Sequence, residues 1–166
     1  MRAVLDTNVV IDLLHFADPP AQALHRAIHC GAVQCFADQP CLAELERVAG
    51  YPRFALDTSA QQSLLADYRG FVTLCEAAGA ENFALPRCRD ADDQKFLILA
   101  RRCRADLLIT RDRLLLTVTR QRSLPLPFAI VTAAEAAPLI AVARDCHQRP
   151  TARAGERPLG GGSEMD

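Results

Sequence analysis

Acidic residues occur in four settings of the predicted fold, namely the ends of two strands, the start of one helix and the middle of another, where their side chains could act together on a phosphate group. They are Asp6, Glu44, Asp90, Asp92, Asp93 and Asp112. Carboxylates that are held close together repel one another unless a cation joins them. Sets of oxygen ligands suit Mg²⁺ or Mn²⁺ rather than Zn²⁺, and such metals position phosphates and activate water for in-line attack. The pattern therefore indicates metal-dependent chemistry.

Each of these acids, taken alone, also has a structural explanation. Asp6, Asn8 and Asp112 could cap helices, because short polar side chains accept hydrogen bonds from the first free backbone N–H groups. Acids in a first helical turn favour the helix dipole, which would explain residues 90–93. Glu44 could be a solvated helix residue. The metal hypothesis depends instead on these acids meeting at one edge of the predicted sheet. Ligands of open parallel sheets bind beyond the carboxyl ends of the strands.

The elements that would position these acids alternate between strand and helix. Apolar stretches predict strands at residues 1–5, 32–38, 105–110 and 128–132. Helical spacing predicts helices at residues 8–16, 21–30, 40–49, 58–79, 90–104, 111–118 and 133–146. Thr58 or Ser59 is expected to cap the longest of these helices, and Pro138 to bend the last. This alternation predicts an α/β fold, a three-layer α/β/α sandwich with a central parallel sheet.

Composition predicts one ordered domain at residues 1–147 and a disordered tail at residues 148–166, which is rich in Gly and Pro. No apolar stretch approaches the roughly 18 residues of a membrane span. Asp6 and Asp12 also interrupt the first apolar stretch, unlike a signal peptide. We therefore expect a soluble, cytoplasmic protein without a membrane partner. The formal net charge of −1 argues against a large basic nucleic-acid surface.

The seven cysteines form no CxxC pair, which favours small core residues over a disulfide framework or a zinc site. His25 and His29 lie one helical turn apart and Cys30 follows, a spacing that favours a half-exposed helix face over a metal site. Lys95 is the only lysine beside eighteen arginines, a bias that codon usage explains.

Four motifs, in this order and at these spacings, resemble the PIN-domain family. They are "VLDTNVVI", "LAELERVAGYPRF", "RDADDQKFLILA" and "DLLITRDRLLL". The chain is most similar, from Arg2 to Thr132, to the bacterial branch of VapC-like toxin components of toxin–antitoxin pairs. The resemblance implies a Mg²⁺- or Mn²⁺-dependent endoribonuclease that hydrolyses phosphodiester bonds in single-stranded RNA and leaves 5′-phosphate and 3′-hydroxyl ends. It also implies a homodimer and a cognate antitoxin partner.

The resemblance assigns roles to the acids. It implies four residues that are both catalytic and metal-binding, namely Asp6, Glu44, Asp93 and Asp112. Asp90 matches the family's "RDxDD" pattern and is implied to bind the metal through water. Asp92 is expected to face solvent and is left outside the site.

The resemblance also implies neighbours for these acids. Asn8 and Thr7 would support Asp6, and Thr110 would line the site. Arg111 stands where many relatives have a small residue, and it could grip the scissile phosphate or point outward. Arg113 is a second candidate for contact with an RNA phosphate.

Other classes of protein fit the sequence less well. A PIN-like binding module that is catalytically weak and acts through a protein partner is the main alternative, and the four acids argue against it. A phosphatase of the haloacid-dehalogenase type would need a second Asp where Asn8 stands. A receiver domain would need a lysine after a late strand, whereas Lys95 lies in a predicted helix.

Overall fold

A five-stranded parallel sheet forms the middle layer of the protein, in the strand order β3-β2-β1-β4-β5. The structure, a computed structural model, describes residues 1–16, 19–119 and 125–148, with side chains described as far as residue 143. The strands are β1 (Arg2–Leu5), β2 (Gln34–Ala37), β3 (Val72–Leu74), β4 (Leu107–Ile109) and β5 (Ala129–Val131). Of the predicted tail, only Gln148 lies within the described residues.

Helices connect and cover the strands. They are α1 (Thr7–Ile11), α2 (Pro19–His29), α3 (Gln39–Ala49), α4 (Thr58–Phe71), α5 (Gln94–Arg102), α6 (Arg113–Val118) and α7 (Ala133–Gln148). A π-helical turn, Asp12–Phe16, extends α1, and a 3₁₀ turn, Pro52–Phe54, precedes α4. Pro138 lies inside α7, as predicted.

Two hydrophobic cores lie on opposite faces of the sheet. Ala3 and Leu5 of β1 belong to the core that also contains residues of α1, α2, α3, α4 and α7. Val4, which lies between them, belongs to the second core, with residues of α5 and α6. Successive strand residues point to opposite faces, so a strand that is buried on both sides must be covered by helices on both. The predicted α/β/α sandwich is therefore confirmed.

The prediction of one long helix over residues 58–79 is wrong. Helix α4 ends at Phe71, and Val72 adopts an extended backbone with φ −90° and ψ 148°. Residues 72–74 then pair with β2 as the edge strand β3, with Val72 opposite Cys35. Branching at Cβ restricts Val72 and Thr73 in a helix and suits them to a strand. The N-cap is also Asp57 rather than Thr58 or Ser59, since the Asp57 side chain accepts a hydrogen bond from the Ala60 N–H.

The acidic stretch before α5 is not helical, in contrast to the prediction. Helix α5 begins at Gln94, so Asp90 and Asp92 lie in the preceding turn and Asp93 is the N-cap residue. The Asp93 side chain makes no capping hydrogen bond. None of these three acids therefore lies within the first turn of α5 or caps it by a hydrogen bond.

Candidate active site

Asp6 is a buried carboxylate at the carboxyl end of β1, with 2% of its surface exposed. The Thr110 hydroxyl donates to Asp6 Oδ2 at 2.7 Å. Asn8 donates to both carboxylate oxygens at 3.4 Å, through its backbone N–H and its side-chain amide. Burial raises the pKa of Asp6, the hydrogen bonds from Thr110 and Asn8 oppose that rise, and the charge of Glu44 adds to it. The neighbours thus orient this carboxylate, while burial destabilises its charge.

Thr110 connects Asp6 to Asp112. It is fully buried just after β4, and its hydroxyl accepts a hydrogen bond from the Asp112 N–H at 2.9 Å while donating to Asp6. Asp112 caps α6 through Oδ1, which accepts from the N–H groups of Leu114 and Leu115 at 2.6 and 3.2 Å. Both capping bonds use one oxygen, so the cap does not occupy Oδ2. Because β1 and β4 are adjacent, their ends place Asp6 and Asp112 side by side.

Asp93 lies close enough to the other acids of the site for their charges to affect its pKa. Its pKa is raised to about 7, most strongly by burial and then by the negative charges of Asp6, Asp90, Asp112 and Glu44, in that order. These residues come from distant parts of the chain, so the fold brings them together. Asp90 is more exposed, and its Oδ1 accepts a hydrogen bond from the backbone N–H of Asp92 at 2.9 Å. The exposed position of Asp92 agrees with its exclusion from the site.

Glu44 enters the same cluster from α3 with a cation attached. Its side chain is 14% exposed, and Oε2 forms an ion pair with the ammonium of Lys95 on α5. Oε2 itself is buried, and the ammonium of Lys95 is the described group that compensates its charge. Glu44 also contributes to the raised pKa values of Asp6 and Asp93, which places its charge within reach of both.

The chemistry of these donors fits a divalent cation of the Mg²⁺ or Mn²⁺ type. All are oxygen donors, and the negative charges of four of them contribute to the raised pKa of Asp93. Among the described residues, however, no three His, Cys, Asp or Glu side chains already stand as ligands of one ion. Glu44 is held by Lys95, and Asp90 and Asp112 are each engaged through one oxygen. Binding would therefore require side chains at the rim to rotate.

The remaining predicted residues lie around this cluster. Arg111 is half exposed, and its Nε forms an ion pair with Asp12 Oδ2 at 3.3 Å, so its side chain turns toward α1 rather than toward the acids. Arg113 is exposed on α6. Thr7 is buried at the first position of α1.

Sequence reasoning missed a second strand-end acid, Asp38, and the arginine that neutralises it. Asp38 is 2% exposed at the end of β2 and accepts hydrogen bonds from the Cys41 N–H at 3.0 Å and from Arg102 Nη1 at 2.8 Å. Arg102 also binds both oxygens of Glu81, at 2.7 and 2.6 Å, and donates to the carbonyl of Cys75. The stretch "FAD" repeats the pattern of "VLD" and is the signal that could have revealed Asp38.

The histidine pair on α2 is remote from the acids. His25 and His29 have ring centroids 4.0 Å apart and line a cleft of about 950 Å³ together with Gln34, the first residue of β2. That cleft therefore lies at the amino end of β2, whereas the acids lie at the carboxyl ends of the strands. Burial lowers the pKa of His25, and the neighbouring His29 lowers it further.

A family model described as "PIN domain" matches residues 2–114. This range covers more than half of the chain, and the chain therefore belongs to the PIN-domain family, as the four motifs predicted. No curated protein and no solved structure matches the chain. PIN domains are nuclease-type domains, hydrolases that generally use divalent metal ions and act on nucleic acids. Among the described helices, none has the length and apolar character needed to cross a bilayer.

Proposed function

We propose that this protein is a Mg²⁺- or Mn²⁺-dependent endoribonuclease that hydrolyses phosphodiester bonds in single-stranded RNA. The observation that carries the proposal is the environment of Asp93, whose pKa is raised to about 7 by burial and by four other carboxylates. Such a concentration of negative charge is costly unless a cation is to be bound there. Perturbed acids in a cluster are typical of functional sites.

In this proposal Asp6, Glu44, Asp93 and Asp112 would hold the cation, with Asp90 reaching it through water. A bound divalent cation supplies positive charge for the phosphate and lowers the pKa of a water molecule. Thr110 and Asn8 fix the orientation of Asp6 before any ion arrives. Binding of a cation would compete with protonation of Asp93, because its pKa of about 7 leaves it partly protonated near neutral pH. Activity should therefore rise with pH through this range.

The choice of RNA and the biological role follow from the resemblance to bacterial toxin components. We propose that the chain is the toxin of a toxin–antitoxin pair, acting in the cytoplasm as a homodimer with a cognate antitoxin. Phosphate contacts would come from exposed arginines beside the acids, such as Arg113, and from Arg111 if it leaves Asp12. Arginine's planar fork binds phosphate oxygens in pairs.

Cleavage of an end-labelled single-stranded RNA tests the proposal. We expect cleavage with Mn²⁺, no cleavage with EDTA, and products with 5′-phosphate and 3′-hydroxyl ends. Asp93→Asn should be inactive, whereas Asp92→Asn should cleave normally, because Asp92 is exposed beside the cluster and lies outside it. Cleavage in EDTA that Asp93→Asn abolishes and Asp92→Asn retains, or products with 2′,3′-cyclic phosphates, would show a mechanism without metal.

One observation favours a second candidate, a PIN-like binding module that acts through a protein partner. Within the described residues the acids do not yet form a ligand set, and Lys95 holds Glu44. If this candidate is correct, Mn²⁺ should leave the melting temperature unchanged and the purified protein should cleave no RNA. Binding of Mn²⁺ with cleavage excludes it.

A further inference from the structure

Lys95 is the one lysine of the chain, and it lies against the proposed metal site. Its ammonium forms an ion pair with Glu44 Oε2 and donates a hydrogen bond to the carbonyl of Asp92 at 2.6 Å. It also lies 5.3 Å from the centre of the Phe96 ring, within range of a cation–π contact. Three groups from two helices and a turn thus hold this positive charge in place. The side chain is only 22% exposed.

The position of this ammonium is unusual for a surface ion pair. Glu44 Oε2 is buried, and the ammonium of Lys95 is the described group that contacts it. The carboxylate therefore depends on a cation for its stability, and a buried charge without one is costly. The same carboxylate interacts electrostatically with Asp6 and Asp93, so Lys95 neutralises one member of the acidic cluster itself.

We propose that Lys95 is a built-in second cation of the site. Its ammonium occupies the place at Glu44 that a second divalent ion would take, so that the protein binds one Mg²⁺ or Mn²⁺ at a time, among Asp6, Asp93 and Asp112. The inference rests on the proposed function, because it concerns how that metal site is filled. The chemical class of the ligand is a single divalent metal ion.

The residue type matters to this role. A lysine ammonium is a compact point charge, comparable to a metal ion, whereas an arginine carries its charge on a broad planar fork. Elsewhere in the fold, the buried acid Asp38 is paired with an arginine, Arg102, which binds two acids at once. Lys95 binds one carboxylate oxygen and leaves the rest of the cluster open to an ion.

The number of bound Mn²⁺ ions tests the proposal. The full-length protein is titrated with Mn²⁺ and followed by calorimetry for stoichiometry and by electron paramagnetic resonance, which distinguishes an isolated ion from a coupled pair. We expect one isolated ion in the natural protein and in Lys95→Arg, which keeps the charge. Lys95→Met should bind two coupled ions, with the first bound about tenfold more tightly because a positive charge has been removed. Two coupled ions in the natural protein, or one ion in folded Lys95→Met, would overturn the proposal.

Two further measurements keep the test valid if Lys95→Met folds poorly. The double variant Glu44→Gln/Lys95→Met leaves no unpaired buried charge, and we expect it to bind one ion. Acetylation of the folded natural protein removes the charge of Lys95 after folding, and should create the second Mn²⁺ site. Acetylated Lys95→Arg is the matched control, because it reacts at the same amino terminus, cysteines and tyrosines but has no lysine, and it should still bind one ion. An acetylated natural protein that binds one ion contradicts the proposal.

The same titrations separate this inference from the proposed function. If the natural protein binds no Mn²⁺ and behaves like Asp93→Asn, the metal-dependent nuclease itself is refuted. If it binds Mn²⁺ and cleaves RNA while Lys95→Met shows unchanged stoichiometry, the nuclease stands and Lys95 is only a structural partner of Glu44.

Discussion

Asp6 and Asp38 hold equivalent positions in the fold but have opposite surroundings. Each follows a buried strand, each is 2% exposed, and each accepts a hydrogen bond from the first turn of the next helix. Asp38 also accepts from the guanidinium of Arg102 at 2.8 Å. The hydrogen-bond donors to Asp6 in the described chain are instead the neutral groups of Thr110 and Asn8.

This difference distinguishes a structural carboxylate from a proposed metal ligand at the same edge of the sheet. A buried carboxylate with a resident arginine already has its counter-charge and holds the fold together. In the proposed function, a buried carboxylate with neutral donors, placed among other acids, would gain its counter-charge from a bound ion. The position at the end of a strand does not decide between the two roles, whereas the partner on the neighbouring helix does.

The largest effect is expected from removing the resident counter-charge. Arg102→Met leaves the buried carboxylate of Asp38 without its partner, and breaking a buried pair in this way costs about 3–5 kcal/mol of unfolding free energy. Urea denaturation measures the loss. Arg101→Met, at the exposed neighbouring position, should change stability by less than about 0.5 kcal/mol. If the two variants are equally stable, the network around Arg102 is not what holds these elements together.

The two aspartates should respond in opposite ways to the same substitution. Asp6→Asn should lower the rate of RNA cleavage at least about a hundredfold, because loss of a supporting residue alone costs 10–100-fold and Asp6 is proposed to be a ligand. Asp38→Asn should lower stability while folded molecules still cleave RNA. RNA cleavage rates are measured and divided by the fraction of folded protein, which circular dichroism gives. Equal losses of cleavage in both variants would contradict the assignment of Asp6 as a ligand and Asp38 as a structural residue.

A smaller effect is expected from the hydroxyl that orients Asp6. Thr110→Val has nearly the same shape but removes the 2.7 Å hydrogen bond to Asp6 Oδ2. Affinity for Mn²⁺ should fall about tenfold. Calorimetry measures this, with Thr117→Val on the exposed face of α6 as the control. Unchanged affinity in Thr110→Val would show that Asp6 does not need this orientation, or is not a ligand.

The smallest effect concerns the stability of the protein without metal. The pKa of Asp93 is raised from 3.8 to about 7, so between these values the folded state holds a proton that the unfolded state has lost. Stability contributed by this group is therefore lost as the pH rises from about 4 to above 7. Asp93→Asn avoids the loss. At pH 8 we expect it to melt a few degrees higher than the natural protein, equivalent to about 1 kcal/mol after solvent screening. At pH 4 the two proteins should melt at the same temperature.

Melting curves in EDTA test this pH dependence, with Asp92→Asn as the control that should match the natural protein at every pH. Mn²⁺ should then stabilise the natural protein more than Asp93→Asn, since an ion that binds the folded state shifts the equilibrium. A lower melting temperature for Asp93→Asn in EDTA, with equal shifts by Mn²⁺, would mean that Asp93 is a structural residue of α5.

The order and direction of most elements could be predicted from the sequence, because periodicity and helix stop signals are local. Strand β3 could not. Its three residues, Val72–Leu74, are too few to show the alternation of a half-buried strand, and none of them is fully buried. They become a strand because β2 offers them hydrogen-bond partners, and that depends on the packed sheet.

The acids of the site were predictable for a related reason, and their partners were not. A strand that ends on Asp is visible in the sequence, as is an acidic stretch before a helix. The pairing of Asp38 with Arg102 joins residues 64 positions apart, and that of Glu44 with Lys95 joins two helices. Such pairs arise only when α3 and α5 pack, so the sequence does not distinguish a neutralised acid from an open one.

The short edges of the sheet have a consequence for how the protein meets other chains. The edge strands β3 and β5 have three residues each, although Leu74 on β3 is 56% exposed. Long, flat edges are templates on which another strand can add, and very short edges resist this form of aggregation. A strand from another molecule could pair with only a few backbone N–H and C=O groups at these edges. We therefore expect copies of this protein to associate through helix surfaces, and to resist fibre formation even at high concentration.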